Sequence, residues 1–547
     1  MKTVIAAAIG ECVHVAGISN FLRLAEQVGW RTVFLGPAVP IKKVIEIVKQ
    51  EKPDLVGVSY RLTPENAEYL LGEFAEEADE LRRKGVKFVF GGTPPVVERV
   101  ERLGFFESCF DGTQETEELV SYLKGQDVSE RKEMDYPQTA IERIQWKSPF
   151  PLIRHHFGLP DVQATIEGIR EIAEAKILDI ISLGIDQDAQ ENFFHPERQD
   201  KRRFGAGGVP VRTQNDYRAL FAASRTGNFP IMRTYSGTDD FIRLAEMYVE
   251  TINISWAAIP LYWFNQMDGR GPWDLEGSIR EHQKLMSWYG KRNIPVEANE
   301  AHHWGMREAP DVIFVVSAYL AAYNARTAGV KDHIVQMMFN SPSGMSDAMD
   351  VAKMLAVMKL ISELAGPNFR VWKQTRTGLL SYPVDLDKAR AHLATSVYVQ
   401  MSLKPDIVHV VGYPEADHAV TGKEIIESCA MGSKAIENAY WGQIDLTSPL
   451  NVREQVQILV SEAQVLLDAI RKLGADNSDD PLADATVLAN AVQSGLMDAP
   501  QLVNNRFGRG EIATIIDRRG ACVALDRDSG KPINEEKRIS TILKRRI

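Results

Sequence analysis

A histidine lies in a loop-forming stretch directly behind the first apolar run of the chain. Val4–Ile9 is typical of a buried strand, and Gly10–Gly17 reads Gly-Glu-Cys-Val-His-Val-Ala-Gly. The pattern places His14 in the loop after the first strand, where ligands bind in doubly wound sheets. It therefore indicates a ligand-binding residue, although an ordinary surface histidine gives the same pattern.

Three arginines, two of them beside predicted strands and one near the start of a predicted helix, have the chemistry to bind carboxylates. They are Arg154, Arg233 and Arg280. The planar guanidinium binds a carboxylate through paired hydrogen bonds, so three converging arginines would suit a small dicarboxylate. Arginine is also abundant on solvated surfaces, and the sequence alone leaves that alternative open.

Glu300 follows an apolar stretch and precedes two adjacent histidines, His302 and His303. A carboxylate in that position could act as a catalytic base or hold an ammonium group. The histidines raise the alternative of a metal site, which their adjacency and the lack of HExxH spacing disfavour.

The composition is that of a folded protein with more than one domain. The chain has 547 residues, of which 44% are hydrophobic and 25% charged, and this length suggests about two to four domains. The formal net charge of −11 argues against a nucleic-acid partner, because phosphates would be repelled. The absence of a long apolar span and of a cleavable leader predicts a cytoplasmic protein without a membrane partner. Four scattered cysteines argue against a disulfide framework, a zinc ribbon or an iron–sulfur cluster.

Residues 1–126 alternate between predicted strands and amphipathic helices, which implies a parallel sheet of the flavodoxin-like or Rossmann-like α/β class. Three loops at one edge of this sheet contain small residues, a hydroxyl and an imidazole. They suit a large ligand that needs close backbone approach and a slot lined by glycine and serine. The predicted strands are Thr3–Ile9, Arg31–Leu35, Leu55–Ser59, Lys87–Phe90 and Ser108–Phe110.

A longer series of alternating strands and helices follows a charged linker with prolines, residues 127–150. Residues 151–445 predict a TIM-type (β/α)8 barrel with its chemistry in the loops that follow the strands. Residues 446–547 predict a C-terminal helical and tail region. The predicted barrel strands are Ile177–Leu183, Ile231–Thr234, Ile252–Ile259, Val296–Ala298, His333–Phe339 and Ile407–Val411.

The N-terminal loops resemble the cobalamin-binding domain of base-off/His-on B12 enzymes. HxxG at His14–Gly17, GxSxxL at Gly57–Leu62 and the pair Gly91-Gly92 occur at strand ends in that family's order. The resemblance implies that His14 coordinates the cobalt of cobalamin from below. It also implies a slot for the nucleotide tail of the cofactor, lined by Gly57, Ser59, Leu62, Gly91 and Gly92.

One residue departs from the family pattern DxHxxG, because Cys12 stands where the family has aspartate. The aspartate accepts a hydrogen bond from the second ring nitrogen of the metal-bound histidine, and a thiol is a poor acceptor. Either Glu11 takes that role or the lower ligand is weaker.

The remainder of the chain resembles the large TIM-barrel subunit of adenosylcobalamin-dependent glutamate mutase, an isomerase. The matching stretches are Arg233–Glu246, Ser278–Arg280, Asn299–Glu300 and the tail Gly495–Glu536. The resemblance implies that Arg154, Arg233 and Arg280 bind substrate carboxylates and that Glu300 meets the amino group. The family's lysine and glutamate that hold the adenosyl ribose are absent near Gly412–Ala416, where Glu415, Asp417 or Lys423 could substitute.

The leading hypothesis is an adenosylcobalamin-dependent radical carbon-skeleton mutase acting on a small carboxylic or amino acid, with the cofactor between the barrel and the B12 domain. One alternative is an aminomutase that uses both B12 and pyridoxal phosphate, for which the sequence offers no convincing Schiff-base lysine. Another is a corrinoid methyl carrier or a B12-binding regulatory protein, which would not need a barrel. The substrate and the oligomeric state, a homodimer included, stay open.

Overall fold

A computed structural model describes residues 1–114, 116–126 and 132–544 of the chain. These residues fall into two compact units, Met1–Lys132 and Glu133–Ile547. Each unit has its own sheet and is described by itself.

The first unit is a five-stranded parallel sheet whose strands are connected by helices. The strand order β2-β1-β3-β4-β5 is that of a flavodoxin-like doubly wound sheet. Its strands are β1 (Thr3–Ala8), β2 (Arg31–Phe34), β3 (Leu55–Ser59), β4 (Lys87–Gly91) and β5 (Ser108–Phe110), and its helices are α1 (Ala16–Gln27), α2 (Ile41–Glu51), α3 (Pro64–Arg83), α4 (Pro94–Glu101) and α5 (Thr116–Leu123).

The apolar runs explain this arrangement. Every residue of β3 is buried, as are all but the first residue of β1, because helices cover both faces of a parallel sheet. The five strands predicted for residues 1–126 are confirmed, each to within one residue at either end. Strand β2 lies on one side of β1, and β3 lies on the other side. The carboxyl ends of β1 and β3 are therefore the topological switch point of the sheet.

The second unit contains a nearly closed parallel barrel. The barrel strands are β6 (Leu152–Phe157), β7 (Ile180–Leu183), β8 (Ile231–Arg233), β9 (Ala257–Ala258), β10 (Val296–Ala298), β11 (Asp332–Phe339), β12 (Arg370–Thr377) and β13 (Ile407–His409). The helices through the barrel are α6 (Ala140–Lys147), α7 (Val162–Glu174), α8 (Gln187–Glu191), α9 (Gln214–Ala223), α10 (Phe241–Ile252), α11 (Leu275–Gly290), α12 (Ala301–Gly305), α13 (Asp311–Thr327), α14 (Asp347–Ser362), α15 (Leu386–Gln400) and α16 (Gly422–Tyr440).

The C-terminal region belongs to this second unit. The long helix α17 packs against α13 and α14 on the outside of the barrel, and the hairpin β14–β15 contacts α13. Its elements are α17 (Leu450–Gly474), α18 (Ala485–Gln493), β14 (Ala513–Ile516), β15 (Cys522–Leu525) and α19 (Glu535–Lys544), where β14 and β15 are antiparallel.

Neighbouring strands of the barrel are hydrogen-bonded in the order β9, β10, β11, β12, β13, β6, β7 and β8. An isolated parallel bridge between Tyr235 and Ala258 joins the two ends of the series. The backbone N–H of Ser255 also donates to the carbonyl of Met232 at 2.8 Å. These contacts bring β8 and β9 together and nearly complete the (β/α)8 barrel that the alternating pattern predicts.

The amino-terminal end of the barrel is filled by apolar side chains. They come from five strands and form one buried cluster with Ala140 and Ile144 of α6 and with Trp256. Helix α6 therefore plugs this end of the barrel. The strand members of this apolar layer are Leu152, Ile180, Ile231, Ile334 and Ile407.

Several predicted boundaries differ from the structure. Within the predicted linker, residues 127–131 lie outside the described residues, whereas residues 140–147 form α6 and pack into the barrel. The predicted strand Ile252–Ile259 reduces to β9, because Ile252 ends α10. Strands β6 and β12 are additional to the predicted set.

No helix within the described ranges has both the length and the apolar character needed to cross a membrane.

Replacing Ile334 by alanine should destabilise the second unit. Ile334 is fully buried in the apolar layer, and deletion of such a side chain costs about 2–5 kcal/mol in transfer and cavity terms. Urea unfolding followed by tryptophan emission measures the loss, since Trp256 lies in the same cluster. The matched control is Ile458→Ala on the exposed side of α17, which should change the midpoint little. Equal effects of the two substitutions would contradict the assigned layer.

Candidate functional site

The three loops predicted to converge in the first unit lie side by side at the switch point. Backbone hydrogen bonds join their strand ends: Ile9 N–H donates to the Ser59 carbonyl at 3.1 Å, and Tyr60 N–H to the Gly91 carbonyl at 3.1 Å. Gly92 N–H continues the series to β5. The loops after β1, β3 and β4 therefore form one continuous edge.

His14 lies in the loop between β1 and α1 with its side chain exposed. The thiol of Cys12 is buried beneath it, with Sγ 3.9 Å from Nδ1 of the imidazole. The described residues provide no partner for Nε2. Glu11 makes no hydrogen bond to His14 in the part of the chain described. The thiol therefore occupies the position of the expected acceptor, and Nε2 is available to a ligand.

The edge beside His14 contains a buried polar atom without a partner. Ser59 ends β3, and its Oγ is buried with no hydrogen-bond partner among the described residues. At Gly92 an added Cβ would lie 3.1 Å from the Tyr60 carbonyl oxygen and 2.9 Å from the Phe90 ring, so a side chain cannot be accommodated there. An unpaired hydroxyl beside a glycine edge fits a ligand with a hydrogen-bonding tail.

The other residues predicted for this slot occupy different settings. Leu62 follows β3 and is exposed, and Gly91 ends β4 next to Ser59. Gly57 lies within β3, where an added Cβ would make only ordinary contacts with the side chains around it. Gly17 lies in the first turn of α1, with open space around it.

In the second unit, a polar layer lies directly above the apolar layer of the barrel. Alternate residues of a strand face the same side, so the residues two positions beyond the apolar layer also face the interior. The residues at these positions are Arg154, Ser182, Arg233, Gln336 and His409. Glu297 of β10 and Gln374 of β12 complete the layer.

Glu297 is the centre of this layer. Its Oε2 accepts hydrogen bonds from Arg154 Nη1 at 3.1 Å, Arg233 Nη2 at 2.8 Å and Trp256 Nε1 at 2.7 Å. Burial raises the pKa of Glu297, but the two guanidinium groups outweigh burial and lower that pKa to about 2. The carboxylate is therefore ionised. Its Oε1 has no hydrogen-bond partner among the described residues.

The two arginines differ in how fully they are paired. Arg154 donates from Nε to Ser182 Oγ and from Nη1 to Gln374 Oε1, each at 2.6 Å, and its Nη2 lies 3.3 Å from His156 Nε2. Burial, together with the charge of Arg233, lowers the pKa of Arg154 to about 9. Arg233 leaves Nε and Nη1 buried without partners among the described residues. Arg233 is thus the arginine with donors to spare.

Nearer the barrel mouth, His156, Tyr235 and Arg376 form the next layer. The Tyr235 hydroxyl lies 3.4 Å from His156 Nε2, and the two rings stack. Burial, followed by the nearby arginines, holds the pKa of His156 and of His409 well below the usual range. Both imidazoles are therefore neutral.

His302 and His303 lie close to the polar layer. His302 Nδ1 is 2.8 Å from Gln336 Nε2, and the two imidazoles pack 4.1 Å apart, centroid to centroid. Burial holds the pKa of both well below the usual range. The described residues contain no cluster of three or more histidines, cysteines or carboxylates placed to hold a metal.

Glu300 is buried outside this polar layer. Its Oε2 accepts from the backbone N–H groups of Leu261 and Tyr262 at 2.7 and 3.0 Å, and its Oε1 accepts from Trp304 Nε1 at 2.7 Å. Burial raises the pKa of Glu300 to about 7 despite these donors. The carboxyl group thus braces the loop after β9, and the structure places Glu297, not Glu300, beside the arginines.

The structure does not bring Arg280 to the other arginines. It lies on the exposed side of α11, where it pairs with Glu276 at 2.6 Å and donates to Thr486 of α18 at 2.9 Å. The prediction that Arg280 joins Arg154 and Arg233 is therefore wrong, because the helix periodicity turns this position away from the barrel.

Glu415 lies in the loop after β13. Its Oε1 accepts from the backbone N–H of Gly412 at 2.8 Å and lies 3.5 Å from His155 Nε2. Its side chain is partly exposed, so it borders the barrel mouth.

Glu297 and Arg376 belong to the barrel site but are not among the residues predicted for it. A charged residue inside the short apolar strand β10 was the available signal for Glu297. Arg376 lies on β12, which the apolar pattern did not reveal.

The comparisons with known proteins bear on the first unit. Residues 2–120 match the family model described as B12 binding domain. The first unit is therefore a B12-binding domain, and the second is a nearly closed parallel barrel.

Solved structures show weaker likenesses. A cobalamin-binding protein from Desulfitobacterium hafniense DCB-2 is 28% identical to this chain, with a TM-score of 0.20. The match covers 22% of this chain and 56% of that protein. A Rubisco-like protein from Rhodopseudomonas palustris is 10% identical over 56% of this chain and 70% of its own, with a TM-score of 0.31. The cobalamin-dependent S-adenosylmethionine radical enzyme OxsB is 11% identical over 80% of this chain and 56% of its own, with a TM-score of 0.18.

The pKa of Glu300 predicts a pH-dependent stability term. The pKa of Glu300 is about 7 in the folded chain and 4.5 ordinarily. Its contribution to the free energy of unfolding is therefore fully present below pH 4.5 and is lost as the pH rises through about 7. The free energy of unfolding of the wild type, minus that of Glu300→Gln, should therefore fall by about 1–3 kcal/mol between pH 5 and pH 8. Urea titrations at both pH values measure this difference.

Glu250→Gln, on the exposed side of α10, serves as the matched control and should follow the wild type at both pH values. A constant difference between the wild type and Glu300→Gln would show that Glu300 is ionised throughout.

Proposed function

We propose that this chain is an adenosylcobalamin-dependent carbon-skeleton mutase, similar to glutamate mutase, that rearranges a small carboxylic or amino acid. The observation that carries the proposal is a buried arginine pair inside the barrel of a chain whose first unit is a B12-binding domain. Arg154 and Arg233 are 0% and 1% exposed, and Arg233 retains unpaired N–H groups. Such donors bind carboxylates.

The residues of the first unit suit this cofactor. His14 would offer Nε2 to the cobalt, with Nδ1 3.9 Å from the Cys12 thiol. The unpaired Ser59 hydroxyl, with Gly91 and Gly92, would hold the nucleotide tail. Bound adenosylcobalamin supplies a carbon-centred radical by homolysis of its cobalt–carbon bond.

The barrel residues would hold the substrate and exclude water. The polar layer offers a guanidinium to orient a carboxylate, and the neutral imidazole of His156 and the Tyr235 hydroxyl border the space above it. The apolar layer below excludes solvent from the amino-terminal end. Fixed positioning matters for radical chemistry, because a loosely held reactive species would attack neighbouring groups.

The pyridoxal phosphate alternative is disfavoured by the buried lysines that the structure describes. Lys147 pairs with Asp179 at 2.6 Å, and Lys353 pairs with Asp350 at 3.0 Å and Asp311 at 3.4 Å. Burial lowers the pKa of Lys353, but the two aspartates outweigh burial and raise it. A Schiff-base lysine must lose its proton, and these ion pairs oppose that loss.

The methyl-carrier alternative gives no role to the barrel interior. A carrier needs the cofactor domain, whereas the Arg154–Glu297–Arg233 cluster lies in the other unit, buried in a barrel. Burying charged side chains costs folding free energy through desolvation. A role in ligand binding would explain why the barrel contains them.

The mutase proposal is tested with the 547-residue chain, adenosylcobalamin and candidate acids under anaerobic conditions. Glutamate, 2-methyleneglutarate, butyrate and 2-aminobutyrate form a suitable panel. We expect at least one acid to produce the electron paramagnetic resonance signal of cob(II)alamin coupled to an organic radical. Absence of the signal with every acid would overturn the proposal.

A second prediction concerns His14. The wild-type chain with cob(II)alamin should show superhyperfine splitting from the imidazole nitrogen, and His14→Ala should lose that splitting because no other described imidazole lies at this edge. Glu11→Gln is the matched control in the same loop and should retain the splitting. An unchanged spectrum for His14→Ala would show that the cofactor binds without this ligand.

A further inference from the structure

We infer that Arg376, and not Arg280, is the third cationic residue of the barrel site, and that the site binds a substrate with a single carboxylate. The inference rests on the proposed function and deepens it by naming the substrate class.

Strand geometry places Arg376 over the polar layer. Gln374 faces the barrel interior, where its Oε1 accepts from Arg154 Nη1 at 2.6 Å. Arg376 lies two residues further along β12, on the same face and about 7 Å nearer the mouth. It pairs in register with His409, whose ring packs against His156. Arg376 therefore borders the space above the Arg154–Glu297–Arg233 cluster.

The guanidinium of Arg376 has no counter-ion within the described ranges. Its Nε donates to the Thr377 carbonyl at 3.4 Å, and no described carboxylate lies within ion-pair distance. Burial lowers the pKa of Arg376, while the charges of Glu415 and Glu297 act in the opposite direction from a distance. A cation in this position is available to an anionic ligand.

Glu297 determines how many carboxylates the site can bind. All three nitrogens of the Arg154 guanidinium are already engaged by Ser182, Glu297, Gln374 and His156. Of the five N–H groups of this guanidinium, four are used and one on Nη2 is left, so Arg154 cannot make a paired contact with a ligand carboxylate. Arg233 gives one nitrogen to Glu297 and keeps two unpaired.

The remaining cationic donors are Arg376 and the unpaired side of Arg233. The Arg233 guanidinium lies 5.8 Å from the centroid of the Tyr235 ring, which stacks on His156. His156 in turn packs against His409, the register partner of Arg376, so both arginines border the same end of the barrel interior. Together they can bind one carboxylate. A second carboxylate would have to displace Glu297, which is fully buried and holds three hydrogen bonds on one oxygen.

Isothermal titration calorimetry measures the equilibrium binding of four acids to the 547-residue chain loaded with adenosylcobalamin. Butyrate and 2-aminobutyrate are the monocarboxylate probes, and glutarate and glutamate are the dicarboxylates. We expect the wild-type chain to bind at least one monocarboxylate at least about tenfold more tightly than its dicarboxylate counterpart.

Arg376→Gln should weaken monocarboxylate binding at least about tenfold, because it removes a charged hydrogen-bond donor, and Arg376→Lys should restore part of the loss. Arg280→Gln is the matched control on the exposed side of α11 and should bind like the wild type. Circular dichroism and the His14 splitting should be unchanged in each variant, which separates loss of binding from misfolding.

Three results would overturn the inference: tighter binding of the dicarboxylates, unaltered binding by Arg376→Gln, or binding of none of the four acids. The mutase proposal fails differently. Monocarboxylate binding through Arg376 without a radical signal from any acid would support this inference and overturn the mutase, whereas a radical signal with glutamate alone would do the reverse.

Discussion

A carboxylate held between two buried arginines sets the conditions for the barrel interior. Uncompensated guanidinium groups at this depth would cost several kcal/mol each, so Arg154 and Arg233 depend on Glu297. The apolar layer beneath holds these groups away from water, which strengthens their attraction. The same cluster is therefore part of the folded core and the floor of the proposed substrate site, and changes to it affect stability and binding together.

The sequence predicts the first unit well and the barrel site only in part, for physical reasons. Strands buried on both faces give continuous apolar runs, as in Leu55–Ser59. Barrel strand β12 gives no such run, since its inward positions include Gln374 and Arg376. Arg280 shows the opposite error, because a matching stretch of sequence does not reveal which side of a helix faces solvent.

Two glutamates three residues apart illustrate what the local sequence leaves undetermined. Glu297 is ionised by arginines that lie 143 and 64 residues away in the chain. Glu300 forms no ion pair with the residues that the structure describes, so burial dominates and its pKa rises. In the local sequence both are simply carboxylates near a strand end. Contacts with distant residues give Glu297 its counter-charges, whereas Glu300 braces the loop after β9.

The packing of α6 into the barrel restricts the route by which a ligand could reach the interior. Because Ala140 and Ile144 seal the amino-terminal end together with the apolar layer, a ligand of the barrel interior would have to enter from the carboxyl-terminal end. In the proposed mutase, reactant and product would then enter and leave by the same route. Product would have to leave before the next reactant could bind, and accumulated product would compete with reactant for the site.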